Sequence, residues 1–97
     1  MPLFMVIETF RRGPGKVREK FLEHGRMMGP DLNYVSSWIA EDGLTCYQLM
    51  EASRIEAFDS WKDAWADLVD FEIVPVAPSA EFWASWEAGQ GAPSASN

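Results

Sequence analysis

Hydrophobic and polar positions along the chain predict two strand-helix-strand units. Residues 3–10 form a mostly apolar run with β-branched and aromatic members, which is typical of a strand covered on both faces. Residues 16–28 then place apolar side chains three or four positions apart and predict a helix. Gly13-Pro14-Gly15 separates the strand from the helix, and Gly29-Pro30-Asp31 follows the helix as a second break.

Residues 33–51 are typical of a β-hairpin. Asp42-Gly43 lies between two extended runs and predicts a two-residue type I′ turn. The register of that turn places Trp38 opposite Tyr47. One predicted face is aliphatic (Val35, Ile39, Leu44, Cys46 and Met50), and the other is aromatic and polar (Tyr34, Ser36, Trp38, Thr45, Tyr47 and Glu51).

The second unit begins with a predicted helix. Ser53-Arg54-Ile55-Glu56 has the pattern of a capping box, and the stripe that follows includes Trp61 and Trp65, one helical turn apart. Residues 69–76 alternate and predict the last strand, with Phe71 and Ile73 on one side. Pro75 indicates an edge strand, because proline has no N–H to donate to a neighbour.

A short C-terminal extension follows this strand. Residues 79–87 predict a helix that begins at Ser79 and carries an aromatic cluster of Phe82, Trp83 and Trp86. From residue 88 to residue 97 the composition of Gly, Ser, Ala and Pro predicts a flexible tail. We therefore expect one domain over residues 1–87, with the helical extension starting near residue 79.

The order of these elements predicts an α+β, ferredoxin-like βαββαβ fold. Right-handed crossovers give a four-stranded antiparallel sheet in the order 4-1-3-2, with both helices on one face. The other face would be bare in a monomer and would carry Trp38, Tyr47 and Leu49. Because an apolar patch of this kind is rarely left in water, we expect a homodimer formed through the open sheet face.

Composition and charge remove several classes of partner. The 97 residues contain 15 acidic and 8 basic residues, for a net charge of -7, and the largest basic cluster is the pair Arg11-Arg12. We therefore expect neither nucleic acid nor a membrane as a partner. The single cysteine, Cys46, forbids an internal disulfide, and the chain start lacks a charged leader segment, so we expect a cytoplasmic protein.

Aromatic side chains are the most suggestive feature of the composition. They make up 13% of the chain, which is more than so small a core readily buries, and this predicts a cleft for a small apolar molecule. The candidate ligand-binding residues are His24, Trp38, Tyr47, Trp61 and Trp65. Each also has an ordinary structural interpretation: a half-buried helix-end histidine, dimer packing for Trp38 and Tyr47, and core packing for the two tryptophans of the second helix.

Catalytic chemistry has only weak candidates. His24 is the one histidine and the one candidate general base. Glu8 and Glu51 lie near the ends of the two central strands, at opposite ends of the sheet, and are interpreted as solvated or salt-bridged carboxylates, while Cys46 is interpreted as a small buried apolar residue. No nucleotide, phosphate or metal motif is present, so we expect no cofactor and no metal.

Three segments together resemble a known family. LFMVIETF, SSWIAEDGLTCYQLMEA and FDSWKDAWADLVDFEIVPV, within roughly residues 3–77, resemble an uncharacterised family of small bacterial proteins with the dimeric α/β-barrel fold. The resemblance implies the fold and a homodimer, and it implies no reaction. The wider superfamily includes cofactor-free monooxygenases, isomerases and haem-degrading enzymes. The haem-degrading members use an Asn on the first strand, whereas this chain has Glu8 or Thr9 there, so the resemblance does not extend to haem.

Three functional hypotheses remain open. The first is a homodimeric module that binds a small, largely apolar molecule in a helix-sheet cleft. The second is a cofactor-independent monooxygenase-like or isomerase-like enzyme, with His24 as its base and Trp38 or Tyr47 orienting the substrate. The third is a purely structural or regulatory dimer. A cavity beside His24 would separate the first two hypotheses from the third.

Overall fold

The computed structural model describes residues 1–90. Its elements are β1 (Leu3–Phe10), α1 (Pro14–His24), β2 (Leu32–Ile39), β3 (Thr45–Ala52), a 3₁₀ turn (Ile55–Phe58), α2 (Asp59–Trp65), β4 (Val69–Val76) and α3 (Ser79–Gln90). The predicted C-terminal helix therefore continues three residues beyond Glu87. The remainder of the predicted flexible tail, residues 91–97, lies outside the described residues.

The four strands form one antiparallel sheet. Their order is β2-β3-β1-β4, which is 4-1-3-2 when it is counted from the β4 edge. β1 is central and pairs with both β3 and β4. Pro75 lies on the edge strand β4, where its missing N–H removes no bond between inner strands. The α+β class and the four-stranded antiparallel sheet are thus confirmed.

The core lies between the sheet and the helices. Alternate residues of β1, namely Phe4, Val6, Glu8 and Phe10, are buried on the face that the helices cover. The largest fully buried side chains are Phe58, Met50 and Val6. Phe58 packs edge-on against Phe4, with ring centroids 5.3 Å apart. This face of the sheet therefore forms one side of the core, and it would also form the floor of a cleft between the sheet and the helices.

The β2–β3 hairpin keeps the predicted pairing but not the predicted turn. Trp38 lies opposite Tyr47, as expected. A type I′ turn needs a positive φ at both central residues, whereas within the described chain the hairpin has one only at Gly43 (75°). The last bond between the strands runs from the Ala40 N–H to the Thr45 carbonyl, so residues 41–44 form a longer connection.

A β-bulge in β2 changes the predicted faces of the hairpin. The register shifts between Tyr34 and Ser36, so that Tyr34 lies opposite the fully buried Met50. The extra residue, Val35, is exposed. The sequence prediction placed Tyr34 on the open face and Val35 towards the helices. It was wrong because one inserted residue exchanges the two sides of a strand.

Helix α1 begins and ends earlier than predicted. It starts at Pro14, where a proline at the first turn costs no hydrogen bond, and it ends at His24. Gly25 has a φ of 71°, and its N–H donates to the Phe21 carbonyl over 2.7 Å. The helix therefore stops at Gly25 and not at Met28, because the backbone turns left-handed there.

The predicted capping box before α2 does not form. The 3₁₀ turn Ile55–Phe58 has Arg54 at its N-cap, with no side-chain capping bond, and α2 starts only at Asp59. The turn leaves Phe58 fully buried. Burial of a phenylalanine contributes about 1.5–3 kcal/mol, compared with about 1 kcal/mol for a typical cap. Packing therefore outweighs capping at this position.

The second face of the sheet and helix α3 remain uncovered in the single chain. Trp38 and Tyr47 are 56% and 41% exposed, beside the half-buried Leu49. On α3, Phe82 and Trp83 are exposed and form an edge-on pair 5.1 Å apart, and Trp86 extends the cluster. No helix described between residues 1 and 90 is long and apolar enough to cross a membrane.

Candidate functional site

A cavity of about 470 Å³ lies between the helices and the sheet. This volume lies within the range of about 300–1,000 Å³ that is usual for small-molecule sites. The cavity is lined by α1, by α2 and by the helix-facing side of all four strands. Its lining residues Pro14, Arg18 and Ile39 are exposed and mark the opening.

Trp61 and Trp65 form the α2 wall of the cavity. Both are buried, and their indole N–H groups donate to the same acceptor, the carbonyl oxygen of Arg26, over 3.0 and 2.9 Å. Trp61 also packs against Phe71 of β4, with ring centroids 5.1 Å apart. Because the two tryptophans are one helical turn apart, their indoles point in the same direction. Their two hydrogen bonds to Arg26 hold the α1–β2 connection against α2.

Lys20 joins α1 to the far end of α2. Its ammonium group donates to the Ala64 carbonyl over 2.5 Å and to the Asp67 carboxylate over 2.7 Å. The hydrogen bond from Lys20 lowers the pKa of Asp67, which therefore stays ionised. The ammonium group also lies 5.2 Å from the centre of the Trp65 ring. The two helices that border the cavity are thus connected directly to each other.

Glu8 is a buried carboxylate in the floor of the cavity. It is the sixth residue of β1, is 7% exposed, and lies between Cys46 of β3 and Phe71 of β4. Within residues 1–90 its carboxylate forms no ion pair, and hydrogen bonds play no part in its pKa. Burial raises the pKa of Glu8 to about 7, although the positive charge of Arg26 opposes part of the rise.

Arg26 supplies a positive charge to the same cavity. Its guanidinium carbon lies 3.8 Å from the centre of the Tyr34 ring and 5.4 Å from that of Phe21. Such contacts hold a cation on aromatic faces without neutralising it. The β-bulge is what brings Tyr34 to this side of the sheet, where its hydroxyl is 2.7 Å from the Ser37 hydroxyl. In the described chain Arg26 has no ion-pair partner.

Cys46 and Gln48 complete the polar part of the floor. Burial, reinforced by the neighbouring Glu8, raises the pKa of the Cys46 thiol to about 12, so the thiol is neutral at pH 7. A neutral buried thiol is a weak nucleophile and a small apolar group. The Gln48 amide donates to the Met50 sulfur over 3.1 Å. Over residues 1–90 no group of three or more potential metal ligands comes together.

The structure brings together two of the five predicted ligand-binding residues. Trp61 and Trp65 line the cavity. His24 does not line it: its side chain is 51% exposed, and its nearest acidic atom is Glu23 Oε1, 3.6 Å away. Trp38 and Tyr47 lie on the opposite face of the sheet, because Cys46 and Gln48 of the alternating strand β3 face the helices.

Sequence reasoning underestimated Glu8 and missed Arg26 and Gln48. Glu8 was interpreted as a strand-end carboxylate, whereas it lies within the pairing of β1 with both neighbours. The available signal was its spacing of two from Val6 and from Phe10, which places all three on one face. Glu51 does accept a bond from the exposed Asn33 amide at the other end of the sheet, over 2.5 Å, as a surface carboxylate should.

The fold and the cavity define an α+β domain with a single-chain helix-sheet site. The family described as Domain of unknown function (DUF3303) matches residues 2–90, which is most of the chain, and the protein belongs to this family. Comparison with curated proteins and with solved structures finds no match.

Proposed function

We propose that the protein binds a small, mostly apolar molecule in its helix-sheet cavity, with Trp61 and Trp65 as ligand-binding residues. The observation that carries this proposal is an open cavity of about 470 Å³ whose aromatic walls surround one acidic and one basic side chain, Glu8 and Arg26, that lack ion-pair partners within the described chain. Pockets that bind small ligands are mostly apolar and contain a few polar groups that fix orientation. A structural module that only associates has no need of such a cavity.

The cavity also favours a particular shape of ligand. Indole and phenyl rings from α1 and α2 lie opposite the sheet across the cavity, and flat aromatic faces suit a planar molecule. Arg26 and Glu8 suit a polar edge with one acceptor group and one donor group, since a guanidinium can only donate and an ionised carboxylate can only accept. We therefore propose a planar, mostly apolar ligand with one polar edge.

Filling the cavity should weaken ligand binding. Val17 of α1 lines the cavity and is half-buried, so Val17→Trp would occupy space that a ligand needs. We expect isothermal titration calorimetry with 1-naphthol, a planar apolar probe, to show a loss of affinity of about tenfold or more in this variant.

Leu22→Trp provides the matched control for the cavity test. Leu22 is on the same helix, is 68% exposed and does not line the cavity, so this variant should bind 1-naphthol like the parent protein. Equal loss of affinity in both variants, or no binding by the parent protein, would contradict the proposed site.

We further propose that two ferredoxin-like subunits associate through the open sheet face into a dimeric α/β barrel. In a single chain this face exposes Trp38 and Tyr47 and leaves Ile7 and Leu49 only half-buried. Apolar surface of this kind is usually covered by a partner. The α3 aromatic cluster of Phe82, Trp83 and Trp86 is a further apolar surface of the single chain. We also propose a cytoplasmic location, which the single free, buried cysteine permits.

The dimer can be tested by placing a charge in the middle of the open face. Leu49 lies opposite Met5 and Ser36 on this face. By analytical ultracentrifugation we expect the parent protein to sediment at twice its chain mass of 10.9 kDa, and Leu49→Arg at the chain mass. Leu22→Arg on exposed α1 should remain a dimer. A parent protein that is monomeric at its highest soluble concentration would refute the association.

A further inference from the structure

Two opposite charges share the cavity without pairing. Glu8 and Arg26 both line it, and Arg26 acts on Glu8 electrostatically, yet the two form no ion pair. The guanidinium is instead held on the rings of Tyr34 and Phe21, and Glu8 lies between Cys46 and Phe71 of the neighbouring strands. A buried charged group in a protein is normally paired with an opposite charge. Because neither group is engaged by the other, both are available to a substrate that enters the cavity.

We infer that Glu8 and Arg26 form a proton-transfer site for a planar, mostly apolar substrate that carries a carbonyl group beside an acidic C–H bond. Glu8 is the general base, and Arg26 receives the oxygen that becomes negatively charged. This inference rests on the proposed function, because the substrate must first enter the cavity. His24, the base expected from the sequence, lies outside the cavity and takes no part.

The chemistry is an isomerisation that balances without a co-reactant. A Glu8 oxygen takes the proton from the carbon next to the carbonyl, and the C–H electron pair becomes the carbon-carbon π bond of an enolate. The carbonyl π pair moves to oxygen, where Arg26 stabilises the negative charge. In a substrate whose acidic carbon also bears a carbon-carbon double bond, Glu8 then returns the proton to the far carbon of that double bond. The electron pair on oxygen re-forms the carbonyl, and the double bond ends in conjugation with it. The protonation states of Glu8 before and after the reaction are the same.

The surroundings of Glu8 suit a base that works near neutral pH. A general acid or base is most effective when its pKa is close to the working pH, and burial brings the pKa of Glu8 to about 7. The ionisable groups that face the cavity beside Glu8 are Arg18 of α1, Arg26 and Cys46. Burial keeps the Cys46 thiol neutral around pH 7, whereas Glu8 changes charge there.

Base strength in the cavity can be measured with a model reaction. In 5-nitrobenzisoxazole, removal of the C–H proton breaks the ring N–O bond and releases a coloured phenolate, so absorbance reports proton abstraction directly. We expect the parent protein to accelerate this reaction with a rate that rises as pH passes through about 7. Glu8→Gln should lose about 100-fold or more of the acceleration. Arg26→Met should reduce it without moving the base out of the cavity.

Matched controls distinguish the loss of the general base from the loss of ligand binding. Glu19→Gln makes the same chemical change at an exposed position of α1 outside the cavity, and it should keep the full rate. Calorimetry with 5-nitrobenzotriazole, an unreactive analogue of similar shape, should show that Glu8→Gln still binds. Binding without a Glu8-dependent rate would overturn the proton-transfer site and leave the proposed ligand site standing. Absence of both binding and rate would overturn both.

Discussion

Replacement of Glu8 by glutamine is expected to raise the free energy of unfolding at pH 8 by about 3 kcal/mol, and to change it little at pH 4. The pKa of Glu8 in the folded protein is about 7, compared with an ordinary value of 4.5 for a glutamate carboxyl group. The folded protein therefore holds the proton more tightly than the unfolded chain does. The stability that Glu8 gains from this tighter proton binding is fully present below pH 4.5 and is lost as the pH rises through 7.

Urea unfolding followed by circular dichroism from pH 4 to pH 9 would measure this effect. The curve of the parent protein should fall across the window, and the Glu8→Gln curve should lie above it by an amount that grows with pH. Protein concentration must be the same throughout, because association also changes the apparent stability. Glu19→Gln, an exposed carboxylate, should follow the parent protein. If the free energy of unfolding depended on pH in the same way in the parent protein and in Glu8→Gln, burial would not be raising the pKa of this carboxyl group.

Truncation of Phe58 should have the largest effect on stability. The ring is fully buried, 5.3 Å from the Phe4 ring and 6.2 Å from the Trp61 ring. Phe58→Ala should lower the free energy of unfolding by about 3–5 kcal/mol, because it removes a large apolar surface and leaves a cavity in the core. Since small domains have only about 5–15 kcal/mol in total, this variant would be close to unfolding.

A milder substitution keeps the Phe58 test measurable. Phe58→Leu retains most of the buried volume and should cost about 1.5 kcal/mol in the same urea experiment. Phe82→Ala removes the same ring from the exposed face of α3 and should change the stability of the dissociated Leu49→Arg chain by less than about 0.5 kcal/mol. Similar losses at Phe58 and Phe82 would mean that the core is not centred where β1 meets the 3₁₀ turn.

Sheet architecture could be predicted because it depends on patterns that extend over many residues. The runs at 3–10 and 69–76 match β1 and β4, and the pairing of Trp38 with Tyr47 follows from the position of the hairpin. The β-bulge could not be predicted in the same way. The bulge depends on one extra residue, Val35, and a valine in a strand does not indicate a bulge. The bulge nevertheless decides which aromatic ring faces Arg26.

The candidate site was predictable only in its aromatic wall. Trp61 and Trp65 lie on an apolar stripe that had to face the sheet, so their place beside the cavity followed from helical spacing. The burial of Glu8 depends on how closely two helices cover one strand, which is a property of the tertiary structure. Arg26 lies in a connection that was predicted to be helix, and Gly25 ends the helix before it.

The shared contact of Trp61 and Trp65 with the Arg26 carbonyl makes tryptophan fluorescence a probe of the cavity. These two indoles are buried and hydrogen-bonded at the cavity wall, while Trp38 and Trp83 are exposed to solvent. Their emission should therefore divide into a blue-shifted and a red-shifted component. A molecule that enters the cavity would alter the blue-shifted component, and association of subunits would alter the red-shifted one, so the two events could be followed separately in unlabelled protein.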